Sequence, residues 1–308
     1  MMNKTLKADW LLLLTAVIWG CAFVAQREGM KHVGPFTFNG IRFFLGAFSL
    51  IPLILYRNRL WQRKTGSTDR VRLFSAVTPA QGVLIGVILF CGASLQQIGM
   101  VYTTAAKGGF ITGLYVILVP FIGRFFGQRI GVGGWIGSVF ATIGLYLLSI
   151  NEELQFAPGD LWVLVGACFW AVHVLVIGWL SSKTDPVQLA CAQFLVCASL
   201  SLVVAGWTET ITWRTIRSGI VPILYGGFFS VGIAYTLQVV AQQDAPPTHA
   251  AVILSMETVV AAIAGWILLD EGLGLRAISG CALMFFGMLV VQLAPLLTGD
   301  RSSRGSLG

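Results

Sequence analysis

Long apolar stretches, separated by short breaks rich in charge, proline or glycine, run along almost the whole chain. Each stretch has about 20 residues, which is the length that an α-helix needs to cross the hydrocarbon core of a bilayer. Breaks at the charged, Pro and Gly clusters define ten candidate spans. Their predicted limits are 9–29, 35–56, 79–102, 106–126, 132–150, 161–180, 187–207, 218–240, 247–269 and 277–296. The pattern predicts an all-α integral membrane protein with ten transmembrane helices.

The composition supports this prediction and excludes most soluble functions. Of the 308 residues, 56% are hydrophobic and only 11% are charged, whereas a soluble domain carries about 25% charged residues. A chain of this length cannot hold these spans and a large aqueous domain as well. The six cysteines all lie in apolar stretches, without a CxxC or Cys/His spacing typical of metal sites. We therefore expect no metal, no cofactor and no disulfide.

The Lys and Arg residues are distributed unevenly between alternate loops, and this predicts the orientation. If the N-terminus is inside, thirteen of the twenty basic residues fall in inside segments, six fall outside, and Arg42 lies within a span. Cytoplasmic loops carry such an excess, so both termini are predicted to be cytoplasmic, in the cell (inner/cytoplasmic) membrane. The loop 57–78 alone holds six of these charges. The formal charge of +7 is thus an orientation signal beside lipid headgroups, and no nucleic-acid partner is expected.

The second half of the chain repeats the first. A shift of 151 residues places Asp9 on Asp160, Trp19 on Trp170 and Pro35 on Pro186. After the loop 57–78 the shift is 142, which places Gln96 on Gln238, Lys107 on His249 and Tyr115 on Glu257. This predicts two repeats of five spans each, residues 9–150 and 160–297. Because five is odd, the second repeat must be inverted in the membrane, as in transporters that rock two bundles about a central site.

Polar side chains inside the spans are the candidate functional residues, because such groups are costly in the hydrocarbon region unless they face protein or water. Glu257, near the centre of the ninth span, is the strongest candidate. It is interpreted as a proton-coupling group or a group that hydrogen-bonds the substrate; the alternative is that it only holds helices together. A cavity between the halves is predicted to be lined by Trp19, Gln96, Tyr115, Trp170, His173, Tyr235, Gln238 and Glu257. For the amides, His173 and the Trp pair, ordinary helix packing is the alternative.

The other charged side chains in or near the spans are predicted to have ordinary roles. Arg42, in the second span, is expected to reach the membrane surface or to pair with an acid, for which Glu28 is the candidate. Lys107 and His249 begin their spans and are expected at the interface. Asp160 is interpreted as a loop charge without a role in a site.

Four stretches, in their order along the chain, carry a family resemblance. They are AVIWG around Trp19, the pair Arg42-Phe43, LQQIGMVYTTAAKGGFITGLYVILVP, and QVVAQQDAPPTHAAVILSMETVVAAIAG, which begins at Gln238. Together they resemble the EamA family of the drug/metabolite transporter superfamily, over residues 9–296. The resemblance implies export of small metabolites or amphiphilic compounds from a central cavity that is reached alternately from either side. Family members commonly carry Pro after the ninth-span Glu; this chain has Thr258, which leaves a hinge there in doubt.

These features together predict a secondary transporter that exports a small organic solute by alternating access, with the solute, the bilayer and protons as partners. The sequence has no GxxxxGK[ST] or GxSxG motif, so neither an ATPase subunit nor enzymatic chemistry is expected. Two alternatives remain open. One is a multispan enzyme acting on lipid or a lipid-linked sugar, which needs polar residues gathered at one membrane face. The other is a membrane scaffold that transports nothing.

Overall fold

Helices make up nearly all of the described chain. The structure, a computed structural model, describes residues 4–65, 74, 76–128, 130–149, 158–269 and 274–298. The helices are α1 (Lys4–Gly29), α2 (Pro35–Thr65), α3 (Pro79–Met100), α4 (Ala105–Gly113), α5 (Tyr115–Phe125), α6 (Val132–Ser149), α7 (Pro158–Ser181), α8 (Pro186–Thr208), α9 (Trp213–Ser218), α10 (Ile220–Leu224), a π-helix (Tyr225–Tyr235), α11 (Thr236–Ala241), α12 (Pro247–Leu254), α13 (Met256–Leu269) and α14 (Leu275–Thr298). Within these residue ranges there is no β-strand, which confirms the all-α fold class.

These helices form the expected series of membrane spans. In the described part of the chain, nine stretches are long and apolar enough to cross a membrane, and α6 adds a shorter tenth one. α4 and α5 together make the fourth span, α10, the π-helix and α11 make the eighth, and α12 and α13 make the ninth. Large apolar side chains such as Trp10, Phe48 and Trp207 are exposed on the outer surface. This surface suits lipid, and the buried core lies between the helices.

Prolines and capping residues determine where several helices begin. α2, α3, α7, α8 and α12 all begin at a proline, whose missing N–H would have no partner in the first turn anyway. Thr78 precedes α3 and forms a reciprocal capping box with Gln81. Asp185 precedes α8 and accepts the backbone N–H groups of Val187 and Gln188 at 3.0 and 2.9 Å. The chain therefore enters these spans at positions that the sequence itself specifies.

The two halves of the protein pack reciprocally. α1 packs against the eighth and ninth spans of the second half, and its counterpart α7 packs against α3 and the fourth span of the first half. α2 packs against α8, and α6 packs against α14, so these two contacts each join equivalent helices. Such reciprocity is expected for repeats related by a pseudo-two-fold axis in the membrane plane.

Glycines allow the close contact between α6 and α14. A Cβ atom on Gly137 would lie 2.8 Å from the carbonyl oxygen of Gly287. A Cβ atom on Gly144 would lie 2.6 Å from the carbonyl oxygen of Gly280. A shift of 143 residues converts the first pair of positions into the second, so the repeat provides both contacts. Small residues let membrane helices approach each other closely, and here they join the last spans of the two halves.

Two predicted boundaries are wrong because the helices continue beyond the apolar stretches. α1 begins at Lys4 instead of residue 9, and α2 ends at Thr65 instead of residue 56. Hydropathy marks only the part of a helix in the hydrocarbon, whereas polar turns extend into the headgroup layer. On α2 this extension is held by Arg57, whose guanidinium lies 2.7 Å from the Asp185 carboxylate. Residues 66–73 and 75 of the predicted basic loop, and residue 150 at the predicted end of the fifth span, lie outside the described residues.

Candidate functional site

A small cavity lies between the two halves, near the middle of the bundle. Its volume is about 40 Å³, taken as the space open to the centre of a water molecule. Seven spans line it, through Trp19, Phe23, Gln26, Arg42, Gln96, Thr112, Tyr115, Trp170, His173, Val174, Ser230, Tyr235, Gln238, Leu254 and Glu257. The eight residues that the sequence suggests for a cavity are all in this set. That they bind a solute stays a prediction.

Two of the lining spans are interrupted beside the cavity. The fourth span breaks at Leu114, directly before Tyr115, and the ninth breaks at Ser255, two residues before Glu257. At both breaks a backbone N–H donates a hydrogen bond to the carbonyl oxygen three residues earlier, as in a 3₁₀-helix. The N···O distance is 3.2 Å from Leu114 to Ile111 and 3.1 Å from Thr258 to Ser255. Thr258 Oγ1 also donates to the Ser255 carbonyl at 2.7 Å. The ninth span is therefore interrupted without a proline, so Thr258 at this position does not restore a continuous helix.

The π-helix of the eighth span places Tyr235 in a cluster of aromatic rings. The centroid of its ring lies 4.5 Å from that of Trp19, 6.0 Å from Trp170 and 6.2 Å from His173. The two tryptophans are equivalent under the repeat shift, so each half contributes one indole wall. The imidazole of His173 is held by Gln193, whose Oε1 lies 2.8 Å from its Nε2. π-Helical turns are rare and often occur at functional sites.

Gln96 connects four spans through hydrogen bonds at the edge of the cavity. Its Nε2 donates to Gln26 Oε1 at 2.9 Å. Its Oε1 accepts Trp170 Nε1 at 2.7 Å and Thr112 Oγ1 at 3.4 Å. The repeat-related Gln238 differs, because its buried Oε1 has no hydrogen-bond partner in the described part of the chain. Gln96 therefore holds the side chains of three neighbouring spans at the cavity wall, whereas the Oε1 atom of Gln238 is available to accept a hydrogen bond.

Glu257 is buried at the cavity, with 3% of its surface exposed. It faces the hydroxyl of Tyr115, which has no hydrogen bond of ordinary geometry to any described residue. Over the same ranges, the Glu257 carboxyl forms no ion pair. Whether this carboxyl acts in transport or only holds helices together stays a prediction. In the described ranges, no group of three or more His, Cys, Asp or Glu side chains could hold a metal ion.

Arg42 does not pair with Glu28, so that expectation is wrong. Glu28 is bound to Lys31 at 2.6 Å on the surface. Arg42 lines the cavity and is 2% exposed. Its guanidinium carbon lies 5.3 and 5.0 Å from the ring centroids of Phe38 and Phe43. Aromatic faces attract a guanidinium, which explains why the side chain stays inside instead of reaching the membrane surface.

Two contacts between an acidic and a basic side chain lie towards opposite membrane faces, and the sequence predicts neither. Asp9 lies 2.7 Å from His249, on the side where α1 begins. Asp160 pairs with Lys107 on the other side and also accepts Thr103 Oγ1 at 3.0 Å. Asp160 is 2% exposed, so its interpretation as a loop charge is wrong. The repeat shifts relate the two acids to each other and the two bases to each other, but they do not show which acid contacts which base.

Comparison with known proteins finds relatives along most of the chain. The sequence model of the EamA-like transporter family matches residues 6–150 and 157–293. An uncharacterized transporter of Archaeoglobus fulgidus is 30% identical over 291 residues, which cover 94% of this chain and 87% of that protein. The uncharacterized transporter YoaV of Bacillus subtilis is 24% identical, with 91% of this chain and 94% of the relative covered. A solved crystal structure with 18% sequence identity has the same fold, with a TM-score of 0.77 over 95% of this chain and 99% of the other.

Proposed function

The chain belongs to the EamA-like transporter family, and we propose that it exports a small organic metabolite or amphiphilic compound by alternating access. Multi-pass transporters of this two-repeat kind offer the solute a central site that opens to one membrane face at a time. The observation that carries the proposal is the cavity between the halves, where aromatic walls meet Glu257. The cavity volume of about 40 Å³ is far below the roughly 300–1,000 Å³ of ordinary ligand pockets, so the cavity must widen at one face to admit an organic solute.

The two acid–base contacts suit the two gates that such a cycle needs. Asp9 and His249 join α1 to α12, whereas Asp160 and Lys107 join α7 to α4. Each pair thus links the first span of one half to the fourth span of the other half, towards one membrane face. Separating these spans opens that face and exposes the pair to water, where the attraction between the charges is much weaker. In this proposal, each pair holds its own face closed while the other face is open.

Glu257 is the proposed coupling residue. Among the residues that line the cavity it is the one carboxyl, and carboxyls inside membrane spans commonly carry protons in pumps and transporters. A central carboxyl can take a proton from the outside solution in one state and release it to the cytoplasm in the other. Solute export is then driven by proton entry. We place the protein in the cytoplasmic membrane with both termini inside, because of the excess of Lys and Arg in the loops on that side.

Efflux from proteoliposomes tests this function. Vesicles containing the purified protein are loaded with a mixture of amino acids, nucleosides, sugars and cationic drugs, and release is followed by mass spectrometry. We expect the wild type to release at least one solute, and to do so faster when the outside is acidic than when the pH is equal on both sides. Glu257→Gln should remove that acceleration. Glu28→Gln, which removes a carboxyl at the surface, should keep it.

The outcomes of this assay separate coupling from transport. Equal release with and without the pH gradient would exclude proton coupling while leaving transport in place. If no class of solute is released in a protein-dependent way, the transport proposal is wrong for these four classes. Chemically altered lipid in the same vesicles would then point to a membrane enzyme.

A further inference from the structure

α9 is a short helix that rests on the end of the bundle where α1 ends. It follows α8 and precedes α10 along the chain, and none of its six residues is buried. Ile216 attaches it to the protein by packing against the buried cluster of Val33, Phe38 and Ile223. This cluster joins α2 of the first half to α10 of the second, so α9 covers a contact between the two halves. The opposite side of α9 faces the surroundings of the protein.

The neighbouring tryptophans indicate that these surroundings are the headgroup layer of the bilayer. α8 has 23 residues, which make about 34 Å of helix, slightly more than the hydrocarbon core of about 30 Å. α9 begins only four residues after α8 ends, so it lies just beyond the hydrocarbon. Trp207 near the end of α8 and Trp213 at the start of α9 are 85% and 74% exposed. Because tryptophan is enriched at the membrane interface, we infer that α9 lies along the lipid headgroups.

The exposed side of α9 carries two arginines that have no counter-ion in the described part of the protein. Arg214 and Arg217 are exposed and three positions apart, so they lie on the same face of the helix. Neither forms an ion pair with an Asp or Glu of the described ranges. Three other bases on this membrane face are engaged by the protein itself. Lys31 and Lys107 pair with acids, and Arg27 donates to two backbone carbonyl oxygens at 3.0 and 2.8 Å.

We propose that α9 binds an anionic phospholipid, whose phosphodiester group lies between the guanidinium groups of Arg214 and Arg217. A guanidinium presents N–H donors in a planar fork that fits two phosphate oxygens. Trp213 is four positions before Arg217 and therefore on the same face, where its ring contacts the glycerol backbone of the lipid. An anionic headgroup is favoured over a zwitterionic one, because a choline or ethanolamine group brings a positive charge close to two arginines.

The lipid site is separate from the cavity and does not depend on transport. With both termini in the cytoplasm, the bound lipid belongs to the outer leaflet. Its binding holds α9 over the cluster of Val33, Phe38 and Ile223, and thus stabilises the contact between the halves at this face. A ligand that binds only the folded chain raises the midpoint of thermal unfolding, which makes the site measurable without a transported solute.

Lipid titrations of the purified protein test this site. The protein in an uncharged detergent is titrated with phosphatidylglycerol, or with phosphatidylcholine of the same acyl chains. Affinities are taken from the midpoint of thermal unfolding and from the number of lipids bound in native mass spectrometry. We expect phosphatidylcholine to bind the wild type at least about fivefold more weakly, which is the contribution of one arginine beside an anionic lipid.

Variants of the two arginines extend the comparison. Arg214→Gln and Arg217→Gln should each weaken binding of phosphatidylglycerol about fivefold, and the double variant should weaken it about thirtyfold. Arg276→Gln is the matched control, because it removes an exposed arginine from the start of α14, on the same membrane face but outside α9. It should bind the lipid as the wild type does.

A photoreactive lipid locates the site on the wild type. Phosphatidylglycerol with a diazirine in its headgroup is irradiated with the protein, and the crosslinked peptides are identified by mass spectrometry. We expect crosslinks within residues 207–219. The basic end of α2, residues 57–65, lies at the opposite membrane face and is the other region where an anionic lipid could bind.

Each result either supports or overturns the inference. Crosslinks confined to the end of α2 would overturn it, as would phosphatidylglycerol that binds no more tightly than phosphatidylcholine, or unchanged binding in the double variant. Glycerol phosphate carries the charged group without acyl chains and should bind at least about tenfold more weakly than the lipid. Equal binding of the two would mean a site for free phosphate, and the lipid would be wrong.

Discussion

In the proposed cycle, removing one acid from an acid–base pair should open the membrane face that the pair holds closed. Asp160→Asn keeps the size of the side chain and removes the charge that holds Lys107. The Asp160 side chain is 2% exposed and that of Lys107 is 36% exposed. The free energy that this pair contributes should therefore lie between the values for a buried pair and for a pair on the surface. Removal of a partner costs about 3–5 kcal/mol for a buried pair, and an exposed pair contributes about 0–1 kcal/mol. An intermediate loss of about 2 kcal/mol shifts the equilibrium towards the open face about thirtyfold.

The rate at which a cysteine in the cavity is labelled measures this shift. Ser230→Cys places a thiol at the cavity wall, where the native serine is 2% exposed. The background protein carries alanine at the four cysteines that are not fully buried, Cys21, Cys91, Cys168 and Cys281. A membrane-impermeant methanethiosulfonate is applied to right-side-out or inside-out vesicles, and the background without the Ser230→Cys change gives the baseline. Labelling follows the population of the open state as long as that state is the minor one.

The two ion pairs predict mirror-image results. Asp160→Asn should raise labelling about thirtyfold from the side of Lys107 and leave the other side unchanged. Asp9→Asn should do the same from the side of His249 only. In the double variant the ratio of the two labelling rates should return to that of the wild type, because the two changes act on opposite faces. Equal increases from both sides in each single variant would mean general loosening, and this would refute the assignment of the pairs as gates.

Three further predictions concern stability, measured as thermal unfolding of the purified protein in detergent. Gly144→Ala should lower the free energy of unfolding by about 1–3 kcal/mol, because the new Cβ would lie 2.6 Å from a backbone oxygen of α14. Gly206→Ala is the control, since it has open space around it, and it should be neutral or slightly stabilising. Glu209→Gln should lower the free energy of unfolding by about 1–2 kcal/mol, because the Glu209 carboxylate accepts hydrogen bonds from two backbone N–H groups in the first turn of α2, both at 2.8 Å. Glu28→Gln is the matched control and should have no effect. Gln96→Leu should lower the free energy of unfolding by about 1–3 kcal/mol and change the tryptophan fluorescence, because it removes the acceptor of the buried Trp170 indole N–H at 2.7 Å. Unchanged emission would contradict this prediction.

The spans could be predicted because hydropathy is a local property of the sequence. The interruptions of those spans could not. The residues at the breaks, Leu114 and Ser255, and the π-helix Tyr225–Tyr235 between them, do not differ from residues found in regular membrane helices. Their hydrogen bonding depends on local side chains such as Thr258 and on packing against other spans. The hydrophobic pattern along the chain describes neither these side-chain hydrogen bonds nor the packing between spans.

The cavity residues fall into two groups by the signal they carry. Polar and aromatic residues such as Gln96 and Glu257 could be assigned to the interior because they are costly in lipid. Apolar lining residues such as Leu254 look the same as residues that face lipid elsewhere on the protein. The contact of Asp9 with His249 joins residues 240 positions apart, and only the tertiary structure shows that these helix ends meet.

The two halves have similar helix arrangements, and the ionisable side chains Arg42 and Glu257 in the cavity lie at positions where the two repeats differ. Under the repeat shifts, Glu257 corresponds to neutral Tyr115, and Arg42 corresponds to neutral Gln193. Each half therefore contributes one ionisable side chain, a base from the first half and an acid from the second. A second carboxyl opposite the first would hold a shared proton through mutual repulsion, whereas a single carboxyl takes up and releases a proton by itself. Because Arg42 and Glu257 belong to different halves, any movement of one half against the other changes the distance between the two groups and therefore their interaction.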